Sequence, residues 1–347
     1  MATASGEIYF IGEKDLRTKE FTSYFKVGIV RANEENADRD SAERLREHQT
    51  GNPRELYVES VVETELVELV ETLLHKKFAT LGVRGEWMML NPQELESVKV
   101  EAEVLAKEAS EIINDIKKAE KLSKIKSDDS VLASTDELVN LNRIYLESSA
   151  KLKACDEMFS VIKEIFAEAL EDDDEEVEAF VKLQDRKGRA IFDEESFKKR
   201  YADLYSKFTL TKSTVKGTAS YSGARSFKKD FRDFDSSFAS IVENFEPLVE
   251  KIAKGKETKE SLHGFSLGLR RANAEALWSK MKAENKIKVA CGTHAGIEGV
   301  IKWVRTEKVT ASFDKKALKD AHPDLVAEFT TAGESTKAVI VDPKKGY

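Results

Sequence analysis

Two runs of apolar residues, spaced alternately three and four apart, limit what this chain can fold into more than any other feature. The first is Leu138, Leu141, Tyr145, Ser148, Leu152, Cys155, Phe159, Ile162, Phe166 and Ala169, of which only Ser148 is polar. The second, Phe227, Phe231, Phe234, Phe238, Ile241, Phe245, Leu248 and Ile252, is apolar throughout. This spacing gathers the side chains into one stripe along a long helix, which then packs as a coiled coil or a long hairpin. Paired between chains, the same stripes would make a homo-oligomer. Pro247 falls inside the second run and is expected to kink or interrupt that helix. Between the runs, TLTKSTVKGTASYSGARS (209–226) is rich in Ser, Thr and Gly and reads as a flexible, basic loop.

The two ends have a different texture. EIYFIG (7–12), YFKVGIV (24–30) and LYVESVV (56–62) are apolar, β-branched and aromatic, as strands are, and EWMML (86–90) is a short fourth candidate. RANEENADRD (31–40) reads as a charged loop. SAERLREHQ (41–49) reads as a helix with Ser41 as N-cap, stopped by GNP (51–53). ELVELVETLLHKKFATL (65–81) is a second helix. At the far end IKWVRTEKVTASF (301–313) and KAVIVD (337–342) read as strands around DKKALKDAHPDLVAEF (314–329), a helix broken at Pro323. The expected architecture is an α+β N-terminal domain (1–95), a helical linker (96–130), a mostly α, coiled-coil-like region (131–285) and a small α+β C-terminal module (286–347).

Charge sharpens this division. The net charge of −8 over 347 residues argues at first against a nucleic-acid partner. Divided by segment, it is −6 over 1–95, −12 over 96–185 and +10 over 186–347. A basic half opposite an acidic one suits a DNA-facing surface, and equally suits two halves that attract each other. No window offers the roughly 20 apolar residues of a membrane helix. The N-terminus has no signal-type run, and two cysteines, Cys155 and Cys291, make no disulfide scaffold. A cytoplasmic protein without a membrane partner is expected.

Five tracts in the first domain carry chemistry: IYFIG (8–12), KVG (26–28), RLREHQTGNP (44–53), ETLLHKKF (71–78) and RGEWMML (84–90). In order and spacing they resemble the GIY-YIG nuclease superfamily, closest to its branch with KIG in the second motif followed by R-L-x-x-x-Q-T-G-N-P, E-x-x-L-H-x-x-F and G-E-W-F-x-L. The resemblance covers about residues 6–95. It implies a small three-stranded antiparallel sheet flanked by helices, and cleavage of DNA phosphodiesters dependent on Mg²⁺ or Mn²⁺.

Carried over residue by residue, the resemblance makes Tyr9 the phenol that assists proton removal from the attacking water. Glu71 becomes the one protein carboxylate on the metal, and a hard oxygen ligand suits that role. Arg44 becomes the guanidinium that grips phosphate. His48, one turn past Arg44, matches a position where some members carry an active-site histidine. Lys26 stands where many relatives have tyrosine; its charge would favour phenolate at Tyr9 and bind phosphate. Tyr24, two residues earlier on the same strand face, is a stand-in for the missing phenol. His75, one turn after Glu71, is a supporting residue.

Each of these residues has a plainer reading, with Tyr9 as core and Arg44 and Glu71 as helix-surface charges. It is the ordered set that points to a site. Cys291 and His294 have a metal-like spacing but no second pair nearby, so no zinc site is expected. The competing function is a catalytically inactive DNA-binding or scaffolding protein assembled through the heptad helices.

Overall fold

The computed structural model describes residues 4–32, 40–172, 174–225, 227 and 230–341. Apart from its ends, the charged segment 31–40 lies outside them, as do parts of 171–178 and 226–234.

The N-terminal elements are β1 (Gly6–Lys14), β2 (Phe21–Arg31), α1 (Ser41–Gln49), β3 (Glu55–Thr64), α2 (Val67–Lys77), β4 (Gly82–Arg84) and β5 (Trp87–Met89). They form an antiparallel sheet in the order β3-β1-β2-β5-β4. The three long strands are those expected, and two three-residue strands extend the β2 edge. Alternation along β1 decides what each face holds. Ile8 and Phe10 enter a core with α2, while Tyr9 and Ile11 enter a smaller one with Leu45 of α1, Leu56 and Trp87.

α3 (Pro92–Ser123) begins at a capping box between Asn91 and Glu94. Its Val98, Ala102, Leu105, Ala109, Ile112 and Ile113 are buried in the same core as the sheet. Most of the segment expected as a linker is therefore this helix, lying against the N-terminal domain.

Next come β6 (Val131–Leu132), α4 (Asp136–Glu171), α5 (Glu175–Glu178), β7 (Val181–Phe192), α6 (Glu194–Arg200), α7 (Ala202–Lys207), β8 (Thr209–Lys216) and β9 (Ser220–Tyr221). The chain continues through α8 (Ser236–Ala253), α9 (Lys259–Cys291), β10 (Gly296–Ile297), β11 (Ile301–Lys302), β12 (Thr306–Phe313), α10 (Lys315–Ala321), α11 (Pro323–Glu328) and β13 (Thr330–Val341).

The first heptad run is helix α4, and its seam is filled within the chain. Residues 138–146 cluster with Ile287 and Cys291 of α9, and residues 155–169 with Leu262 and Leu269, so the two helices run antiparallel. α9 also sends Ala274 and Trp278 into the N-terminal core. It is shared by all three clusters and buried on several sides, which explains why it shows no single apolar stripe.

The second run departs from expectation. Its helix, α8, starts at Ser236, where the Asp235 carboxylate accepts from the Phe238 amide at 2.9 Å, and Phe231 lies in a preceding 3-10 turn. α8 continues through Pro247 instead of breaking there. The stretch 209–225 is not a flexible loop. It contains β8, paired along its length with β12, and β9, paired with β11.

β7-α6-α7-β8 and β12-α10-α11-β13 are two copies of one unit, 121 positions apart. Phe192-Asp193, Phe197, Asp203-Leu204 and Phe208-Thr209 stand where Phe313-Asp314, Leu318, Asp324-Leu325 and Phe329-Thr330 recur. Strands are exchanged between the copies: β7 pairs with β13, and β12 with β8. The registers are equivalent, with Phe192 opposite Thr330 and Phe313 opposite Thr209. The hydrogen bonds repeat too. The Asp193 amide donates to the Phe329 carbonyl and the Asp314 amide to the Phe208 carbonyl, both at 2.8 Å. This is the isologous geometry of a two-fold dimer within one chain. Phe192 and Phe313, equivalent residues, stack with ring centroids 5.9 Å apart in a shared core with buried Phe197, Leu318 and Val326. The C-terminal sheet module thus draws on two separate stretches of sequence.

Candidate active site

The site is built on the pairing of β1 with β2, which sets Tyr9 opposite Gly28. The Tyr9 ring lies across that glycine. A Cβ on residue 28 would fall 2.4 Å from the Tyr9 hydroxyl oxygen, so the glycine of KVG is required by close approach. The ring is fully buried and its hydroxyl meets Nε2 of His48 at 3.2 Å.

His48 reaches Tyr9 from α1. Asp40, not Ser41, caps that helix, accepting from the Glu43 amide at 2.9 Å, while the Ser41 amide donates to the Glu7 carboxylate at 3.0 Å. Arg44 and His48, one turn apart, share the face toward Tyr9. The Arg44 guanidinium also donates to Glu47 at 2.6 Å. Beyond them, Gln49 organises the turn that follows. Its amide donates to the Arg54 carbonyl and its carbonyl accepts from the Leu56 amide, each at 2.8 Å. The TGNPR turn, with Tyr24, His48 and Trp87, lines an open depression beside the site.

α2 supplies Glu71 and His75. His75 Nε2 donates to the Val27 carbonyl at 2.9 Å, tying the helix to β2 next to Gly28. Lys26 forms an ion pair with Glu86, which precedes Trp87, the residue opposite Lys26 in the β2–β5 register.

These groups perturb one another. Burial pushes the Tyr9 phenol up to about 12; Arg44 opposes the rise, and the Glu86 and Glu71 charges add to it. Burial, then the Glu86 charge, raises the Glu71 carboxyl to about 7, against the pull of Arg31 and Lys26. His48 is lowered by burial and by Lys26 and Arg44, and His75 by burial despite its bond to Val27. Both imidazoles are accordingly neutral at pH 7.

Tyr9, Lys26, Arg44, His48 and Glu71 thus come from four separated stretches into one electrostatically coupled group. His75 lies one turn beyond Glu71 on α2, bonded to the Val27 carbonyl. Tyr24 lies in the adjoining depression, and the Tyr9 phenol is hydrogen-bonded to His48 and to Arg44. Sequence reasoning missed Glu86, which acts on Tyr9, His48, Glu71 and His75 alike. The available signal was its place beside Trp87 in the GEW tract.

Elsewhere, the Cys291 thiol lies 3.4 Å from the His294 carbonyl oxygen. Among the described residues no three His, Cys, Asp or Glu side chains cluster as a metal cage. No helix among them is long and apolar enough to cross a membrane.

A buried phenol, two neutral imidazoles, two cations and a carboxyl raised toward neutrality define a site suited to proton transfer next to an anion. In a comparison with known families, residues 6–117, about a third of the chain, match the T5orf172 domain, which is associated with nuclease-like proteins. Comparisons with curated proteins and with solved structures find no significant match.

Proposed function

We propose that the N-terminal domain, about residues 1–95, is a GIY-YIG-type endonuclease that hydrolyses DNA phosphodiesters with Mg²⁺ or Mn²⁺. The observation that carries this reading is the convergence of Tyr9, Lys26, Arg44, His48 and Glu71 around Glu86.

The donor set fits a divalent cation. Glu71 is a hard oxygen ligand whose charge is opposed by burial and by Glu86, and a bound cation would relieve both. With no protein cage among the described residues, water and substrate phosphate would complete the shell, as Mg²⁺ tolerates. When bound, the metal supplies Lewis-acid polarisation of the scissile phosphate.

The chain's own residues would do the rest. Arg44 and Lys26 bind phosphate oxygens and hold the scissile group against the Tyr9–His48 pair. The Tyr9 hydroxyl donates to neutral His48 and fixes its ring. At pH 7 His48 is a far better proton acceptor than a phenol at about 12, so the proton of the attacking water passes through Tyr9, whose hydroxyl gives its own proton to Nε2 of His48 as it takes one from the water. His75 holds α2, and with it Glu71, at a set distance from β2. The basic C-terminal half, +10 over 186–347, adds affinity for the DNA backbone.

The high Tyr9 phenol also suits a second reading, a non-cleaving DNA-binding or scaffolding protein. Its assembly through heptad helices would need a surface other than the α4 seam, which α9 fills. A cleavage screen over duplex, flap, branched and modified DNA, with Mg²⁺ or Mn²⁺ and Glu71→Ala as control, separates the two. The nuclease reading expects metal-dependent nicking by the wild type alone. Equal, near-zero cleavage by both proteins on every substrate favours the scaffold.

A further inference from the structure

The duplicated unit presents two antiparallel ribbons, β8–β12 and β7–β13, that project from the shared aromatic core and are exposed along most of their length. In β8–β12 the register is unbroken: Lys216 faces Thr306, Thr214 faces Lys308, and Lys212 faces Thr310. Directly opposed residues share a face, and so do residues two apart on one strand. One face is therefore a chequerboard of three lysines and three threonines. The one carboxylate of this ribbon, Glu307, lies on the other face, bonded to Ser213.

The second ribbon keeps cations at equivalent positions, but Asp185 stands for Thr306, directly opposite Lys337, and the register shifts on either side of Gly333. Lys187 stands for Lys308 and Lys337 for Lys216. Arg189 stands for Thr310, whose cross-strand partner Lys212 is replaced by Gly333. Each ribbon thus retains three cations although most of the surrounding sequence has diverged. None of the six forms an ion pair among the described residues. At about 3.3 Å per residue, the shorter ribbon spans about 26 Å and the longer about 40 Å.

We propose that these two ribbon faces bind the phosphate backbone of duplex DNA and are the source of the affinity assigned above to the basic C-terminal half. The inference rests on the reading that DNA is this chain's substrate. Lysine, arginine and threonine are the donors that phosphate oxygens take; the β8–β12 face has no carboxylate, and on the β7–β13 face the single Asp185 is outnumbered by Lys187, Arg189 and Lys337. A ribbon of this width also enters the major groove, which brings the backbone on either side within reach. The two-fold relation between the ribbons matches the local two-fold of a duplex, so one module can hold both strands in the same way. Contacts of this kind carry no sequence preference, which leaves selection of the cut site to the N-terminal domain.

The test is binding of the full chain carrying Glu71→Ala to a fluorescent 20-base-pair DNA duplex. Anisotropy is measured in EDTA across a series of NaCl concentrations, so cleavage plays no part. Two variants neutralise one ribbon each: Lys212→Ala/Lys216→Ala/Lys308→Ala and Lys187→Ala/Arg189→Ala/Lys337→Ala. Each should bind at least about tenfold more weakly at 0.1 M salt. Each should also flatten the slope of log affinity against log salt by roughly 2 to 3, since a neutralised phosphate contributes about 0.9. Glu307→Gln, on the opposite face, should bind no more weakly than its parent. Unchanged affinity and slope in both triple variants overturns the proposal, as does stronger competition by duplex RNA than by duplex DNA. A chain that binds through the ribbons yet never cuts would sink the nuclease reading alone. One that cuts while both variants bind normally would sink this inference alone.

Discussion

The hydroxyl of Tyr9 lies 3.2 Å from Nε2 of His48, 39 residues further along the chain. The contact joins a buried strand residue to α1, which packs on that side of the sheet, and the two groups are displaced in opposite directions. The phenol is raised by burial and the imidazole is lowered by burial and by Lys26 and Arg44. A proton at this pair is therefore held more tightly by tyrosine than by histidine, and Nε2 of His48 accepts from the hydroxyl in the tautomer that carries its proton on Nδ1.

It follows that His48→Ala should cost more than Tyr9→Phe. Removal of a general base typically costs about 10²–10⁴ in rate, and His48→Ala is expected in that range. Tyr9→Phe keeps the ring, loses the hydroxyl's bonds to His48 and Arg44 and leaves Nε2 of His48 open to the water itself, so a loss of roughly tenfold is expected. Single-turnover nicking rates decide between them. A larger loss in Tyr9→Phe would return the base to the phenol.

Gly28→Ala tests how Tyr9 is placed. The added methyl would lie 2.4 Å from the hydroxyl oxygen and must push the ring aside. Overpacking of this kind costs about 1–3 kcal/mol. The expected result is a folded protein, somewhat less stable in thermal melts monitored by circular dichroism, whose nicking falls about as far as that of Tyr9→Phe or further. Full activity would show that the ring can move without consequence.

Glu86→Gln removes a negative charge that raises Glu71, Tyr9 and both imidazoles. Without it the Glu71 carboxyl ionises at lower pH, so the acid limb of the pH–rate profile should move to lower pH. The same substitution frees Lys26 from its ion pair. A limb that stays in place, or moves to higher pH, contradicts the coupling of Glu86 to Glu71.

The exchanged strands make a different prediction. Phe197 and Leu318 are equivalent, fully buried residues in one core. Phe197→Ala and Leu318→Ala should each cost about 2–5 kcal/mol in that core. Because each ribbon takes one strand from each copy, either variant should loosen both ribbons. Hydrogen exchange would show faster amide exchange in 181–192 and 330–341 as well as in 209–216 and 306–313. Loosening confined to one ribbon would mean that the units are independent.

Much of the N-terminal domain was legible in the sequence, because its strands alternate and its site motifs sit in short, ordered tracts. Glu86 was overlooked: its place beside Trp87 in the GEW tract marks it, but its charge gains meaning when Lys26, Glu71 and Tyr9 are placed around it. α9 was hidden for the opposite reason. It is buried on several sides, so residues such as Asn273 and Ser266 interrupt any single stripe. The duplication was present in the letters, in Phe-Asp and Phe-Thr pairs 121 apart. Reading by texture divided it, assigning one copy to a helical region and a loop and the other to a separate tail. The second heptad run misled because its first members, Phe227, Phe231 and Phe234, keep helical spacing while lying before the Asp235 cap.

The central claim is that Glu71 is the carboxylate on which a metal-dependent nuclease turns. It is tested most directly by the pH dependence of DNA nicking at low and high Mg²⁺. The Glu71 carboxyl, raised to about 7, must lose its proton before it can bind a cation, so cation and proton compete for it. Cleavage by the wild type should therefore rise through about pH 7 at low Mg²⁺. The midpoint should fall as Mg²⁺ is raised, and Glu71→Ala should be inactive throughout. Cleavage whose midpoint ignores Mg²⁺ and survives in Glu71→Ala would contradict the account, as would no cleavage by the wild type at any Mg²⁺ concentration.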